Sequence, residues 1–235
     1  MQVRTDLAVE ALGKPKGTYE TLWVPGDGRP TPEAAEALGE AVASLLDLRG
    51  GESVLVVGLG NRDMTPDAVG PFSAGGVLVT RHLRKQLPQV FAAMRPVSAL
   101  VPGVLGTTGV ESAEIVRSVV EATRPDRVVV VDALAAGGAD RLCRVIQVTD
   151  AGIVPGSGVG NSRAAFSAET LGVPVVAVGA PTVMDARQPG EREPLMVTPR
   201  DVDARVRRLS SLISAGINAA LFPDWSYDEI AQFVD

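Results

Sequence analysis

Arg127-Val128-Val129-Val130-Val131-Asp132 is the stretch that decides the fold class of this chain. Branched side chains at Cβ favour the extended backbone, and a run that is apolar at every position, not at every second one, marks a strand covered on both faces. Such strands belong to parallel sheets with helices above and below. Residues 53–57 (SVLVV) and 173–178 (VPVVAV) have the same character, and each is followed by a glycine turn. Residues 142–148 (LCRVIQV) alternate apolar and polar, which predicts a strand nearer a sheet edge. Residues 95–101 predict another short strand and residues 18–24 a further edge strand. Helical periodicity and start signals place helices at 31–46, where Pro32 follows a capping Thr31, and at 67–86, 111–123 and 199–221. The reading is an α/β protein with a mostly parallel, twisted sheet and helices on both faces. It forms one domain over residues 1–235, with a polar surface loop at 186–194 and a loosely packed tail at 223–235.

Composition narrows the function classes. At 235 residues, 46% of them hydrophobic, the chain can bury a core without disulfides or metal. Its single cysteine, Cys143, has no internal partner, and one histidine is too few for a Cys/His zinc set. A reducing cytoplasm fits best. Residues 1–16 alternate charged and apolar side chains and resemble neither a signal peptide nor a membrane anchor, and no later segment reads as a membrane span. A net charge of −6 and an aromatic content of 4% speak against nucleic-acid binding, which needs a basic field and stacking surfaces.

Open parallel sheets bind ligands at the carboxyl ends of their strands. Two aspartates stand there. After the strand at 53–57 come Gly58-Leu59-Gly60-Asn61, then Thr65-Pro66-Asp67 at the start of a predicted helix; the strand at 127–131 ends in Asp132. Asp67 is either a helix cap or a catalytic group, and Asp132 either caps the following turn or serves chemistry. If the two carboxyls meet, they can share one proton, because like charges a few ångströms apart do not ionise together. One would then take a proton from water while the other donates to the scissile carbonyl or the leaving amine. That is peptide hydrolysis without a metal or other cofactor.

Other chemistry is weaker. His82 lies along the helix that Asp67 begins, about 22 Å away at 1.5 Å per residue, and no G-x-S-x-G elbow presents a serine to it. Cys143 sits in an apolar strand and reads as core. Gly156-Ser157-Gly158-Val159-Gly160-Asn161 has the look of a phosphate cradle but lacks the Lys-Ser/Thr ending of a P-loop. The segment from Gly103 through Gly106-Thr107-Thr108-Gly109 can supply oxyanion-binding amides or be only the turn before a helix. Both loops are read as cleft-lining, with Asn61, Gly103, Thr107, Thr108, Gly156, Ser157 and Gly158 as the substrate-binding candidates.

These residues carry a resemblance. Arg4-Thr5-Asp6-Leu7-Ala8, Gly58-Leu59-Gly60-Asn61, Thr65-Pro66-Asp67-Ala68-Val69-Gly70-Pro71, Asp132-Ala133-Leu134-Ala135-Ala136, Pro155 through Asn161, Pro181-Thr182-Val183 and Ala215-Gly216-Ile217-Asn218 occur in order across most of the chain. In this the chain resembles the germination protease of spore-forming bacteria. The resemblance implies an endopeptidase of the spore core that degrades small acid-soluble spore proteins, made as a zymogen and assembled as a homotetramer. It also implies a fold similar to the hydrogenase maturation peptidases, with Asp67 and Asp132 as the catalytic pair and no required metal. Family substrates are cut after glutamate in a setting like Glu-(Ile/Phe/Leu)-Ala-Ser-Glu, which Thr5-Asp6-Leu7-Ala8-Val9-Glu10 resembles. That predicts self-cleavage between Asp6 and Leu7; the alternative is an ordered N-terminal strand. The chain is shorter than the usual member chiefly between the strand around Trp23 and the helix starting near Pro32, and around 186–194. Two rivals stand beside this reading: a metal-assisted maturation-type peptidase, and a non-catalytic binding module on the same fold.

Overall fold

The valine runs form the centre of an eight-stranded mixed sheet. In the computed structural model of the chain, the described residues are 1–235 without 6–8, 10–13, 25, 27, 161–162, 188–194 and 235. The strands are β1 (Gln2–Val3), β2 (Gly17–Trp23), β3 (Val54–Gly58), β4 (Val97–Leu100), β5 (Arg127–Ala136), β6 (Val145–Thr149), β7 (Val175–Asp185) and β8 (Met196–Val197). Their order is β1-β2-β6-β7-β5-β3-β4, with β8 also on β7. The neighbours β4, β3, β5 and β7 run parallel, and the β6–β7, β2–β6 and β1–β2 pairs are antiparallel.

Alternation along the central strands explains why they are apolar throughout. Val54, Val56, Val129 and Val131 face one layer, built from α1 (Pro32–Leu46), α2 (Val69–Gly75) and α8 (Val202–Leu221). Leu55, Val57, Val128 and Val130 face the other, where α6 (Ser112–Thr123) packs Ala113, Val116 and Val120 beside Leu171. Each strand is therefore buried on both sides, as the unbroken valine run requires. Among the described residues, no helix is long and apolar enough to cross a membrane.

The start of α1 follows the sequence reading: the Thr31 hydroxyl accepts the Ala34 amide at 3.2 Å and Pro32 opens the helix. Elsewhere tertiary contacts redraw the expectation. The single helix expected at 67–86 is broken. A 3₁₀ turn at Thr65–Asp67 precedes α2, which ends at Gly75, and α3 (Leu83–Gln86) and α4 (Pro88–Phe91) are short separate turns. The break is held by buried Asn218 on α8, whose amide group donates to the Gly76 carbonyl and accepts the Leu78 amide, both at 2.9 Å. Those contacts compete with helix continuation at a Gly75-Gly76 pair that already disfavours it.

Neither expected edge strand ends the sheet. β6 lies between β2 and β7, and β1 pairs with the outer side of β2. β6 also starts at Val145, because Cys143 has a left-handed backbone (φ 55°) and its amide donates to Pro181 O at 2.7 Å. The segment expected as a loose tail contains α9 (Tyr227–Val234), which buries Ile230 in the α1–α8 layer and sets Trp225 edge-on to Phe233. The remaining helices are α5 (Leu105–Thr108), between β4 and α6, and α7 (Ala168–Leu171), before β7.

Candidate active site

From β3 the chain crosses to β4 on one side, and from β4 it returns through α6 to β5 on the other. The crevice between the carboxyl ends of β3 and β5 is thus a point where the strand order reverses, the place where open α/β sheets hold ligands. Asp67 reaches it from the turn after β3, and Asp132 from within β5.

The turn that carries Asp67 is built by close backbone contact. Gly70 at the start of α2 sits on the strand ends: a Cβ there would lie 2.2 Å from Leu59 O and 2.5 Å from Val131 O. Gly60 has φ 113°, and a Cβ on it would meet Asp67 O at 2.0 Å, so only glycine lets the chain fold back here. Asp67 does not cap α2. Its Oδ2 instead accepts the Asn61 amide at 2.7 Å, while the Asn61 side chain accepts the Asp63 amide at 3.0 Å. On the opposite side Thr182, fully buried in β7, donates its hydroxyl to Pro66 O at 2.5 Å.

Asp132 is 4% exposed, and its Oδ1 accepts the Ala133 amide at 2.9 Å. Burial, and then the negative charge of Asp67, push its carboxyl up to about 7 against the opposing help of the Ala133 N–H. Burial also raises Asp67, which the Asn61 amide partly counters. The pair therefore holds a proton to higher pH than free carboxylates do, with the more buried member the natural place for it.

The carboxyls open on a cavity of about 610 Å³. Asn61, Gly156, Ser157 and Gly158 line it, as expected, together with Glu111 and Arg163, which form a 3.3 Å ion pair at the rim. Gly103, Thr107 and Thr108 do not line it; their neighbours Val104, Leu105 and Gly106 do. The two threonines turn their hydroxyls back to Val104 O at 3.0 Å, closing α5 rather than facing a ligand. Self-cleavage residues Asp6 and Leu7 lie outside the described residues. His82 is exposed and away from the lining, although the broken helix removes the distance argument made for it. Cys143 is buried, and burial raises its thiol to about 11, so it is no nucleophile. Among the described residues, no three His, Cys, Asp or Glu side chains stand together as a metal set. A larger cavity of about 850 Å³ lies between α1, α8 and α9, without either aspartate.

A family model described as germination protease matches residues 1–191. The chain belongs to the germination protease family. The germination protease of Clostridium perfringens is 36% identical over 283 aligned positions, which take in all of this chain and 87% of the relative. That of Priestia megaterium is 47% identical over 190 positions, covering 77% of this chain and 51% of the relative. Among solved structures, a NiFe hydrogenase maturation protease of Thermococcus kodakarensis aligns with TM-score 0.38 and 18% identity over 74% of this chain and 97% of its own. Membership in the germination protease family carries a protease function in germination, and with it a protein substrate.

Three residues that line this candidate site of the germination protease are not singled out as site residues by the sequence reading: Thr182, Glu111 and Arg163. Thr182 lies in the quoted Pro181-Thr182-Val183, and its burial in β7 beside an apolar run was the available signal. Nothing local to Glu111 or Arg163 reveals that they meet, because 52 residues separate them and only the fold brings them together.

Proposed function

We propose that the chain is an endopeptidase that degrades small acid-soluble spore proteins in the spore core by water attack assisted by Asp67 and Asp132. The observation that carries this reading is that two carboxyls, buried Asp132 and the more accessible Asp67, line one cavity at the sheet's reversal point, where burial raises the proton affinity of both. Asp67, the more accessible of the two, takes a proton from water as the oxygen attacks the scissile carbonyl carbon. Asp132 donates its proton to the carbonyl oxygen. As the tetrahedral centre collapses, the C–N bond breaks, the leaving nitrogen receives the proton held by Asp67, and Asp132 recovers its own from the hydroxyl. The pair ends in its starting state.

Family resemblance supports two further parts of the proposal: a homotetrameric assembly and a zymogen from which cleavage between Asp6 and Leu7 removes the first six residues. Intact-mass measurement after acidification and partial dehydration tests the cleavage; a chain that becomes active at full length refutes it.

The deciding experiment incubates wild type, Asp67→Asn and Asp132→Asn with a peptide containing Glu-Ile-Ala-Ser-Glu, with and without chelator, and identifies products by mass spectrometry. Cleavage by wild type in chelator, lost in both variants, is the expected result. A variant that cleaves at the wild-type rate removes that aspartate from the mechanism, and loss in chelator alone favours a metal-assisted peptidase.

A further inference from the structure

β5 outruns its neighbour. Its ladder with β3 ends at the pair Gly58–Val131, whereas its ladder with β7 continues to Ala136–Met184. Among the described residues, β5 is paired along one edge only from Asp132 onward.

Backbone directions along β5 can be assigned from its bonds. Val131 O accepts the Leu59 amide at 2.8 Å on the β3 side, and the Val128 amide donates to Pro174 O at 3.0 Å on the β7 side. Alternate residues of a parallel strand present both backbone groups to the same neighbour. Ala133, two places beyond Val131, therefore turns its N–H and C=O toward the side that β3 has left. Its N–H is taken by the carboxylate of Asp132. Among the described residues, no loop amide or side chain donates to its carbonyl.

The cavity lies against this rim. Asp132, Ala133, Leu134 and Ala135 line it in unbroken succession. Side chains of a strand alternate between faces, here up to the register shift at Leu134/Ala135, so a cavity that touches Asp132, Ala133 and Leu134 in turn meets the strand edge-on. The turn at Ser157–Val159 closes the far end, where a Cβ on Gly158 would stand 2.7 Å from Ala135 Cβ. The cavity thus runs along the edge of β5 from Asp132 past Ala133 to Ala135.

We propose that the protein substrate docks as an added strand on this edge of β5, with one of its amide N–H groups donating to the Ala133 carbonyl in the place that β3 vacates. The inference rests on the protease reading above and names how that site holds its substrate. An unpaired edge is a template for an extended peptide, because main-chain groups supply affinity whatever the side chains are. Asp132, next in the chain to Ala133, then meets the main chain of the bound segment and not its side chains. The substrate class is polypeptide that is extended or readily unfolded at the cut; a segment held in a helix has its amides engaged and is refused.

Replacing single non-scissile amides of the Glu-Ile-Ala-Ser-Glu peptide by esters tests this, since each ester deletes one N–H and keeps the side chain. At one position kcat/KM with the wild-type protein should fall about five- to tenfold, the worth of one hydrogen bond, and its immediate neighbours should change less than about twofold. Equal losses at every position, or none anywhere, would overturn the proposal while the peptide is still cut, and would place recognition in the side chains. A parent peptide left uncut refutes the protease reading itself, and the docking mode with it.

Discussion

Asp67 stands close enough to Asp132 that its negative charge raises the proton affinity of the deeper carboxyl. The two arrive from segments 65 residues apart in sequence, one on a turn after β3 and one inside β5. Their encounter depends on the parallel pairing of those strands, Val57 beside Val130 and Gly58 beside Val131.

The buried acid makes stability depend on pH in a defined direction. A carboxyl whose folded-state proton affinity is raised contributes stability that is present below its unfolded value near 3.8 and is lost as pH rises through about 7. Asp132→Asn keeps an oxygen for the Ala133 amide and never ionises. Thermal melts should coincide for variant and wild type near pH 4 and diverge in the variant's favour up to pH 8, by roughly 1.4 kcal/mol for each tenfold gain in proton affinity. A constant difference across that range would show that Asp132 is not raised.

Turnover should follow the same pair from the other side. If protonated Asp132 is the acid, kcat falls as pH rises through about 7. The acid limb reports protonation of Asp67, whose own value is raised above 3.8 by burial, so activity is lost on that side at a pH above that of a free aspartate. A rate that stays flat from pH 6 to 9 would rule out an acid with Asp132's environment.

Gly70→Ala places a methyl group 2.2 Å from Leu59 O, a backbone atom that cannot swing aside. The expected cost is about 1–3 kcal/mol of stability, as for other overpacked sites, with activity reduced further because α2 and the Asp67 turn move together. Chemical denaturation and a peptide assay on the same preparation measure both.

Thr182→Val removes the hydroxyl that donates to Pro66 O and leaves a half-buried carbonyl without that donor. A stability loss of about 1–3 kcal/mol is expected, with a fall in kcat larger than any rise in KM, since Thr182 holds the turn that carries Asp67. Thr182→Ser should restore most of both. A Ser variant that is defective while the Val variant is intact would mean the methyl group, not the hydroxyl, is what the site needs.

Thiol reagents provide a contrasting test. Cys143 is 6% exposed, and its thiol is held near 11 by burial, so folded protein should neither react with iodoacetamide at pH 8 nor lose activity to it. Labelling should appear only on unfolding, read by mass spectrometry.

The valine runs at 53–57 and 127–131 announced central parallel strands without any tertiary information, because an all-apolar strand has no stable place except between two layers. The Thr31-Pro32 start of α1 was equally plain, since a helix cap is a contact within four residues. Asp67 and Asp132 could be named as carboxylates at strand ends for the same reason. What local pattern could not supply was anything decided by a distant partner. Asn218 ends α2 from α8, β1 covers the edge of β2, and the backbone turn at Cys143 delays β6. Gly103, Thr107 and Thr108 read as cleft-lining in a glycine-rich loop, yet none of them lines the cavity and the two threonine hydroxyls turn back to Val104 O.

By itself, then, the order of residues determined that this chain builds a doubly covered sheet with carboxylates at its strand ends, because burial and chain direction act on each strand separately. Only the folded arrangement decided that those two carboxylates share a cavity and that the deeper one binds its proton more tightly than a free carboxyl, because proton affinity depends on the dielectric and charges within a few ångströms, which chain order alone does not specify.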